Sequence, residues 1–240
     1  MLPIMADPVI LAIETSQREG AVALRDGAGH DHVEPLLASR RHDDDLMPAV
    51  NRMMERAGLA PPDLDAVGVS IGPGGFTGLR IAVSTAKMLA MALDAKVIAV
   101  PTALVVAEAC RAPEVENGPI IVALSSKRGS FWSTTLIRAS EGWRIEGKPG
   151  LADAETISLK DAEALIADRY LPDAARERAA AADVPVIAPR FDALACLVVS
   201  ARLLAAGETT DPLMLSPLYA RPPEAVSLWE RKRREDGRSS

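Results

Sequence analysis

The stretch from residue 66 to residue 93 constrains what this chain can fold into more than any other. It consists of an apolar run typical of a buried strand, a turn rich in glycine, and a long apolar helix. Glycines allow positive φ angles and close backbone approach, and the N–H groups that begin a helix are free to bind an anion. The turn therefore presents N–H groups either to an anion, such as a nucleotide phosphate, or to a partner. The residues predicted for a phosphate site are Glu14, Thr15, Gly72, Gly74, Gly75 and Thr77.

Known loop motifs do not fit this turn. The P-loop requires a Lys-Ser or Lys-Thr pair after its glycines, and the dinucleotide fingerprint requires a glycine where Thr77 stands. Residues 68–72 match the G-x-S-x-G elbow of hydrolases around Ser70. However, three residues separate that motif from the helix, and all three histidines precede it, whereas a hydrolase needs its histidine downstream. A serine esterase is therefore disfavoured.

Two helices in the N-terminal half carry features of a pairing surface. The helix after the turn has small side chains at every fourth position, along which another helix can approach closely. The predicted helix near residues 44–57 is rich in methionine, which suits both adaptable interfaces and ordinary cores. The predicted interface residues are Leu46, Val50, Met53, Met54, Ala57, Gly78, Ala82, Thr85, Ala86, Leu89 and Ala90. Under this prediction, Ala86→Trp abolishes pairing and leaves the monomer folded, whereas the alternative is an ordinary buried helix.

Composition limits the classes of function. The 240 residues are 48% hydrophobic and 25% charged, which is typical of a soluble globular protein. The net charge of −6 argues against a protein that grips nucleic acid by itself, because phosphate contacts require clustered Lys and Arg. The N-terminus resembles no targeting segment, and the apolar segment 193–206 is too short to cross a membrane. These observations predict a cytoplasmic protein that contacts no membrane.

The remaining patterns predict two lobes of strands and helices. In the N-terminal half, strands are also expected at residues 9–13, 21–24, 30–34 and 97–100. In the C-terminal half, strands are expected at residues 120–124, 131–137, 143–146 and 184–187, with helices at 158–182 and 191–206. The predicted organisation is an N-terminal lobe over residues 1–111, a smaller C-terminal lobe over 112–215, and a proline-rich return with a basic tail over 216–240.

Two polar features leave alternatives open. His30 and His32 fall on one face of the third strand, where they form either a thin metal site or part of an exposed edge strand. No further His or Cys lies nearby at ligand spacing, so no metal site is predicted. The basic cluster at residues 231–234 is either solvated or in contact with RNA.

Three separated stretches resemble the TsaB family, also called YeaZ. They are residues 13–16 followed by a hairpin, the glycine-rich block over residues 72–81, and the closing block over residues 217–223. The resemblance implies an α/β fold of the actin-like, Hsp70-like ATPase type, with two ribonuclease-H-like lobes of which the second is reduced. It also implies a role in forming N6-threonylcarbamoyladenosine (t6A) at position 37 of tRNAs that read codons beginning with A.

The resemblance further implies that the chain is not the catalyst. A TsaD-like subunit would pair with it through the two helices, hold the metal and transfer the threonylcarbamoyl group, while a TsaE-like subunit would supply ATPase activity. Contact with tRNA would come through the complex, and the free chain is a candidate homodimer. No cofactor is firmly implied, and ATP or ADP at the partner interface is the one candidate.

The residues agree with a non-catalytic role and leave one alternative. Glu14 stands where ATPases of this fold usually have the aspartate that holds Mg²⁺, and residues 125–127 stand where relatives often carry another aspartate. The alternative is an autonomous small-molecule kinase or ATPase, with the glycine turn on a phosphate and Glu14 as metal ligand. A peptidase is disfavoured because the sequence contains no H-E-x-x-H motif, other metal cluster or triad.

Overall fold

Two five-stranded sheets organise the part of the chain that the structure describes. The computed structural model describes residues 7–37, 42–110, 115, 118–126 and 129–221, and of residues 42–44 only the backbone. The predicted link near residue 112 and the basic tail at 231–234 lie outside these ranges or at their edge.

The first sheet is formed by the N-terminal half. Its strands are β1 (Ile10–Glu14), β2 (Ala21–Arg25), β3 (Asp31–Pro35), β4 (Ala66–Gly72) and β5 (Lys96–Pro101). They lie in the order β3-β2-β1-β4-β5, with β1, β2 and β3 antiparallel and with β4 and β5 parallel to β1. Every residue of β1 is buried, as expected for a central strand that is covered on both faces.

Three helices accompany the first sheet. They are α1 (His42–Ala57), α2 (Phe76–Leu93) and α3 (Thr102–Ala109), and a short 3-10 turn (Pro61–Asp63) precedes β4. Gly58 follows α1 with a φ of 69°, and α2 stops at Asp94, which takes the left-handed conformation that ends many helices. The predicted strand, glycine turn and helix of residues 66–93 are therefore confirmed as β4, the turn and α2.

The second sheet is formed by the C-terminal half. Its strands are β6 (Ile120–Ser125), β7 (Phe131–Ala139), β8 (Gly142–Ala152), β9 (Ala164–Ala167) and β10 (Val186–Ile187), in the order β10-β9-β6-β7-β8. This half also has two helices, α4 (Asp173–Ala181) between β9 and β10, and α5 (Ala193–Ala205) after β10. The predicted continuous helix over 158–182 is wrong, because residues 164–167 pair with β6 as a parallel strand. Four apolar residues cannot be distinguished from a helix segment by periodicity alone.

The helices and sheets stack in layers. α1 and α2 bury one face of the first sheet, and α4 covers the outer face of the second. α3 and α5 share a buried apolar cluster with both sheets and so lie between them. α5 comes after the second sheet in sequence but packs on β1, so the span predicted for the C-terminal lobe contains a helix that covers the first sheet.

Residues 209–221 form an extended segment, here called the strap, that returns to the first sheet. The Thr210 N–H donates to the Val97 carbonyl at 2.8 Å, which covers the edge strand β5. Further along, Lys87 Nζ donates to the Leu213 carbonyl at 3.3 Å, and Arg80 Nε donates to the Tyr219 hydroxyl at 2.9 Å. The strap therefore runs beside α2, from its C-terminal half towards its N-terminus.

Candidate functional site

The glycine turn is closed by backbone from two other segments. The Gly75 N–H donates to the Ser16 carbonyl at 2.7 Å, and a Cβ at Gly74 would lie 2.3 Å from the same oxygen. On the other side, a Cβ at Gly72 would lie 2.5 Å from the Leu218 carbonyl oxygen, and Gly72 has a φ of 115°. Close packing against the β1–β2 turn and the strap thus requires glycine at these positions.

The predicted phosphate residues do gather around this turn. Thr15 Oγ1 donates to the Gly78 carbonyl at 2.9 Å, which holds the end of β1 against the first turn of α2. Thr77, Gly74 and Gly75 are exposed at the surface, whereas Thr15 is buried. The phosphate site remains a prediction, and the backbone approaches just described account for the glycines without it.

Glu14 is fully enclosed at the end of β1. It is 1% exposed, its Oε1 accepts the Ser16 N–H at 2.7 Å, and its Oε2 has no hydrogen-bond partner among the described residues. Burial raises the pKa of this carboxyl, against the opposing effect of the nearby Ser16 and Ser70. The same burial makes the ionised form, which Mg²⁺ requires of a carboxyl ligand, more costly than at an exposed carboxyl.

The second lobe presents a different polar pair at the equivalent strand end. The Ser125 N–H and hydroxyl both donate to the Asp168 carboxylate, at 2.8 and 2.5 Å. Arg221 on the strap donates to the Ser130 hydroxyl at 2.7 Å beside this pair. Sequence reasoning missed Asp168, because its strand β9 was assigned to a helix and only the sheet places it beside Ser125.

The G-x-S-x-G match around Ser70 and the pair His30 and His32 both have structural roles. Ser70 is buried within β4, and its hydroxyl lies 2.9 Å from the Thr102 hydroxyl, so it is not an exposed nucleophile. A ring nitrogen of His30 and one of His32 lie 3.3 and 3.1 Å from Asp26 Oδ2, in the hairpin between β2 and β3. Within the described ranges, no group of three or more His, Cys, Asp or Glu residues is arranged to hold a metal ion.

Most of the residues predicted for the partner interface face the core. Nine are buried within the monomer, namely Leu46, Val50, Met53, Met54, Gly78, Ala82, Thr85, Ala86 and Ala90. Ala57 and Leu89 are half-buried. The stripe of small residues lets α2 lie close to the first sheet and α1, so these side chains are buried in the monomer and their part in pairing stays a prediction.

The outward face of α2 carries different residues. Met88 and Met91 are 54% and 64% exposed, and Phe76 at the start of the helix is 44% exposed. Arg80 lies between them, with its guanidinium 3.6 Å above the centre of the Phe76 ring. Lys87 is the one charged residue of α2 after Arg80. This face is therefore an exposed, mainly apolar surface, which the sequence pattern failed to separate from the buried one.

α2 also has the length and apolarity that a membrane-spanning helix requires, and it is the one such helix in the described ranges. Its inner face packs on β4 through Leu79, Ala82 and Val83. The apolar content of α2 is thus divided between a core face and an outer face, as in a packed helix of a folded domain.

Comparisons with known proteins agree with this architecture. Residues 26–142 match the family model described as TsaD, tRNA N6-adenosine threonylcarbamoyltransferase. The chain is 29% identical over 152 residues to the tRNA threonylcarbamoyladenosine biosynthesis protein TsaB of Escherichia coli (strain K12), covering 62% of this chain and 64% of that protein. It is 39% identical over 93 residues to the protein of the same name from Bacillus subtilis (strain 168), covering 38% and 40%. The solved structure of YeaZ from Pseudomonas aeruginosa superposes with a TM-score of 0.74 at 23% identity, covering 88% of this chain and 99% of that chain.

The layered sheets and these matches define a protein of the actin-like, ribonuclease-H-like ATPase fold, so the predicted fold class is confirmed. Within that class, the chain is similar to the curated TsaB proteins of E. coli, Haemophilus influenzae and B. subtilis. The match spans 64% and 56% of the length of the curated relatives from E. coli and Haemophilus influenzae, which is less than two thirds in each case.

Proposed function

We propose that this chain is a non-catalytic subunit that binds a TsaD-like protein and supports its formation of t6A at position 37 of tRNAs that read ANN codons. In this proposal the complex acts in the cytoplasm, a TsaE-like protein supplies ATPase activity, and tRNA binds through the complex. The names of the curated relatives place them in t6A biosynthesis, which supports the pathway.

The observation that carries the proposal is the outward face of α2. Met88 and Met91 expose more than half of their surface on a helix whose other face is packed in the core. Methionine is flexible and polarisable, and it is frequent on surfaces that adapt to a partner. Depletion of charge is typical of the centre of a protein–protein interface. The proposed partner surface is thus the outer face of α2, and the buried stripe of small residues packs the helix against the core.

The polar groups of the cleft favour a non-catalytic role. The buried Glu14 accepts a backbone N–H and has a raised pKa, which disfavours the ionised form that a metal requires. On the second lobe, the Asp168 carboxylate already accepts two hydrogen bonds from Ser125. Neither carboxyl presents both oxygens to a shared cation.

The test combines binding with an activity assay. The purified chain is mixed with the TsaD-like subunit of its own organism, complex formation is measured by co-purification, and tRNA threonylcarbamoylation is measured with and without the chain. We expect a stable complex, modification that depends on this chain, and no activity of the chain alone. Met88→Ser/Met91→Ser should abolish the complex and keep the melting temperature, since both side chains are exposed.

The opposite result favours the kinase or ATPase alternative. If the chain fails to bind the TsaD-like subunit and instead hydrolyses ATP or phosphorylates a metabolite alone, the proposal is wrong. Loss of that turnover in Glu14→Gln would then identify Glu14 as a functional ligand. Self-association of the free chain is measured in the same experiment by sedimentation, because an exposed apolar helix face favours homodimers too.

A further inference from the structure

The strap exposes two large apolar side chains on an ordered turn. Leu213 and Met214 are 70% and 74% exposed. The Leu213 N–H donates to Asp211 Oδ1 at 2.8 Å, and the Met214 N–H donates to the Asp211 carbonyl at 2.9 Å. The next residue, Leu215, is 2% exposed and packs into the core beneath α1 and α2. The turn is thus anchored on both sides while its tip points outward.

The tip adjoins the outer face of α2. Lys87 Nζ donates to the Leu213 carbonyl at 3.3 Å, which ties the turn to the helix. Met91 lies four residues after Lys87 and three after Met88, so its side chain neighbours both of them on the helix surface. Leu213, Met214, Met88 and Met91 therefore border a single exposed surface.

We propose that Leu213 and Met214 form, with Met88 and Met91, a composite docking surface for an apolar face of the TsaD-like subunit. This inference rests on the proposed function and adds the strap to the surface named there. It commits to a protein occupant because the surface offers little positive charge: Lys87 is the one cation on this part of α2, and its ammonium is bonded to the strap.

The size of the surface suits an interface. Burial of one such side chain removes on the order of 100 Å² of apolar surface from water, so four contribute about 400 Å². A partner in a standard interface contributes about 800 Å², of which an apolar centre and a polar rim are the usual parts. The four side chains are therefore enough for the centre of such an interface, and α2 alone supplies only half of it.

The strap lies outside the region of this chain that is similar to the TsaD family model. The region similar to the TsaD family model, residues 26–142, includes α2 and ends before the strap. A TsaD-like subunit thus has a counterpart of α2 in the matched region, while the Leu213 and Met214 tip lies outside it.

The experiment measures the affinity of the full chain for the TsaD-like subunit by calorimetry. The test variant is Leu213→Ser/Met214→Ser, and Met88→Ser/Met91→Ser tests α2. The matched control is Leu151→Ser/Tyr170→Ser, which removes two exposed side chains of the second lobe, 46% and 66% exposed. We expect both the strap variant and the α2 variant to weaken binding at least tenfold, the control to bind as the unmodified chain does, and all melting temperatures to agree.

The outcomes separate this inference from the proposed function. If the α2 variant loses binding and the strap variant does not, the composite surface is refuted and the proposed function stands. If the strap variant loses self-association of the chain but keeps its affinity for the TsaD-like subunit, the occupant is a second copy and the inference is refuted. If the unmodified chain does not bind the TsaD-like subunit at all, the proposed function fails, and this inference fails with it.

Discussion

Single residues at the junction of β1 and the glycine turn explain much of the local chemistry. Glu14 is buried with one oxygen on the Ser16 N–H, while the Ser16 carbonyl accepts the Gly75 N–H across the turn. The same carbonyl leaves no room for a side chain at Gly74. Ser16, in the short turn after β1, is thus hydrogen-bonded to both the buried Glu14 carboxyl and the backbone of the glycine turn. These bonds stabilise the glycine turn without a ligand.

Glu14→Gln is expected to change how stability depends on pH. The raised pKa means that the folded state binds the Glu14 proton more tightly than the unfolded state does, whose pKa is near 4.5. The stabilisation by the neutral carboxyl is fully present below that value and is lost as the pH rises through the folded-state pKa. Glutamine stays neutral at every pH, so the free energy of unfolding of the variant should not fall in this pH range. Towards neutral pH the variant should therefore become more stable relative to the unmodified chain.

Urea unfolding midpoints measured from pH 4 upward check this expectation. The control is Glu208→Gln, because Glu208 is exposed beyond the end of α5. Parallel stability curves for the Glu14 variant and the unmodified chain would show that folding does not raise the pKa of this carboxyl.

At the scale of elements, α2 has two faces with different tasks. The inner face places Gly78, Ala82, Ala86 and Ala90 against the first sheet and α1, and small side chains are what that close approach requires. The outer face carries exposed methionines and borders the strap. The helix is therefore a structural element on one side and the proposed docking element on the other.

Ala86→Leu is expected to destabilise the monomer by about 1–3 kcal/mol, because Ala86 is 0% exposed and a larger side chain overpacks the core. Ala92→Leu is the matched control on the exposed face of the same helix and should change stability little. Chemical denaturation measures both. Because Ala86 is buried, Ala86→Trp is now expected to unfold the monomer instead of leaving it folded. Equal stability of the Ala86→Leu and Ala92→Leu variants would contradict the packing of Ala86 in the core.

At the scale of the whole molecule, α5 joins the two sheets. It packs on the first sheet, and its Arg202 reaches the hairpin between β7 and β8, donating to the Glu141 and Trp143 carbonyls at 3.1 and 2.8 Å. A Cβ at Gly142 would collide with the Arg202 guanidinium, so the hairpin requires glycine where Arg202 packs against it. The strap makes a second connection, from Gly72 in the first lobe to Ser130 in the second.

Arg202→Met is expected to cost about 1.5–3 kcal/mol, because it removes charge-assisted hydrogen bonds to two carbonyls while the side chain keeps much of its length. For a chain of this size, that corresponds to a fall of roughly 3–12 °C in melting temperature. Arg144→Met, on the exposed side of the same hairpin, serves as the control. If scanning calorimetry finds the two variants equally stable, Arg202 does not connect the lobes energetically.

The sequence by itself determined most of the local elements and the resemblance to TsaB proteins. Short apolar runs, the glycine turn and the apolar patterns of the helices predicted β1 to β5, α1, α2 and α5 close to their observed bounds, because these signals depend on neighbours along the chain. Only the tertiary structure decided which face of α2 is buried, that α5 returns to the first sheet, that β9 is a strand, and that the strap brings Leu213 beside Met88. Those properties depend on contacts between residues far apart in sequence, and an apolar helix face has the same pattern whether it meets a sheet or a partner.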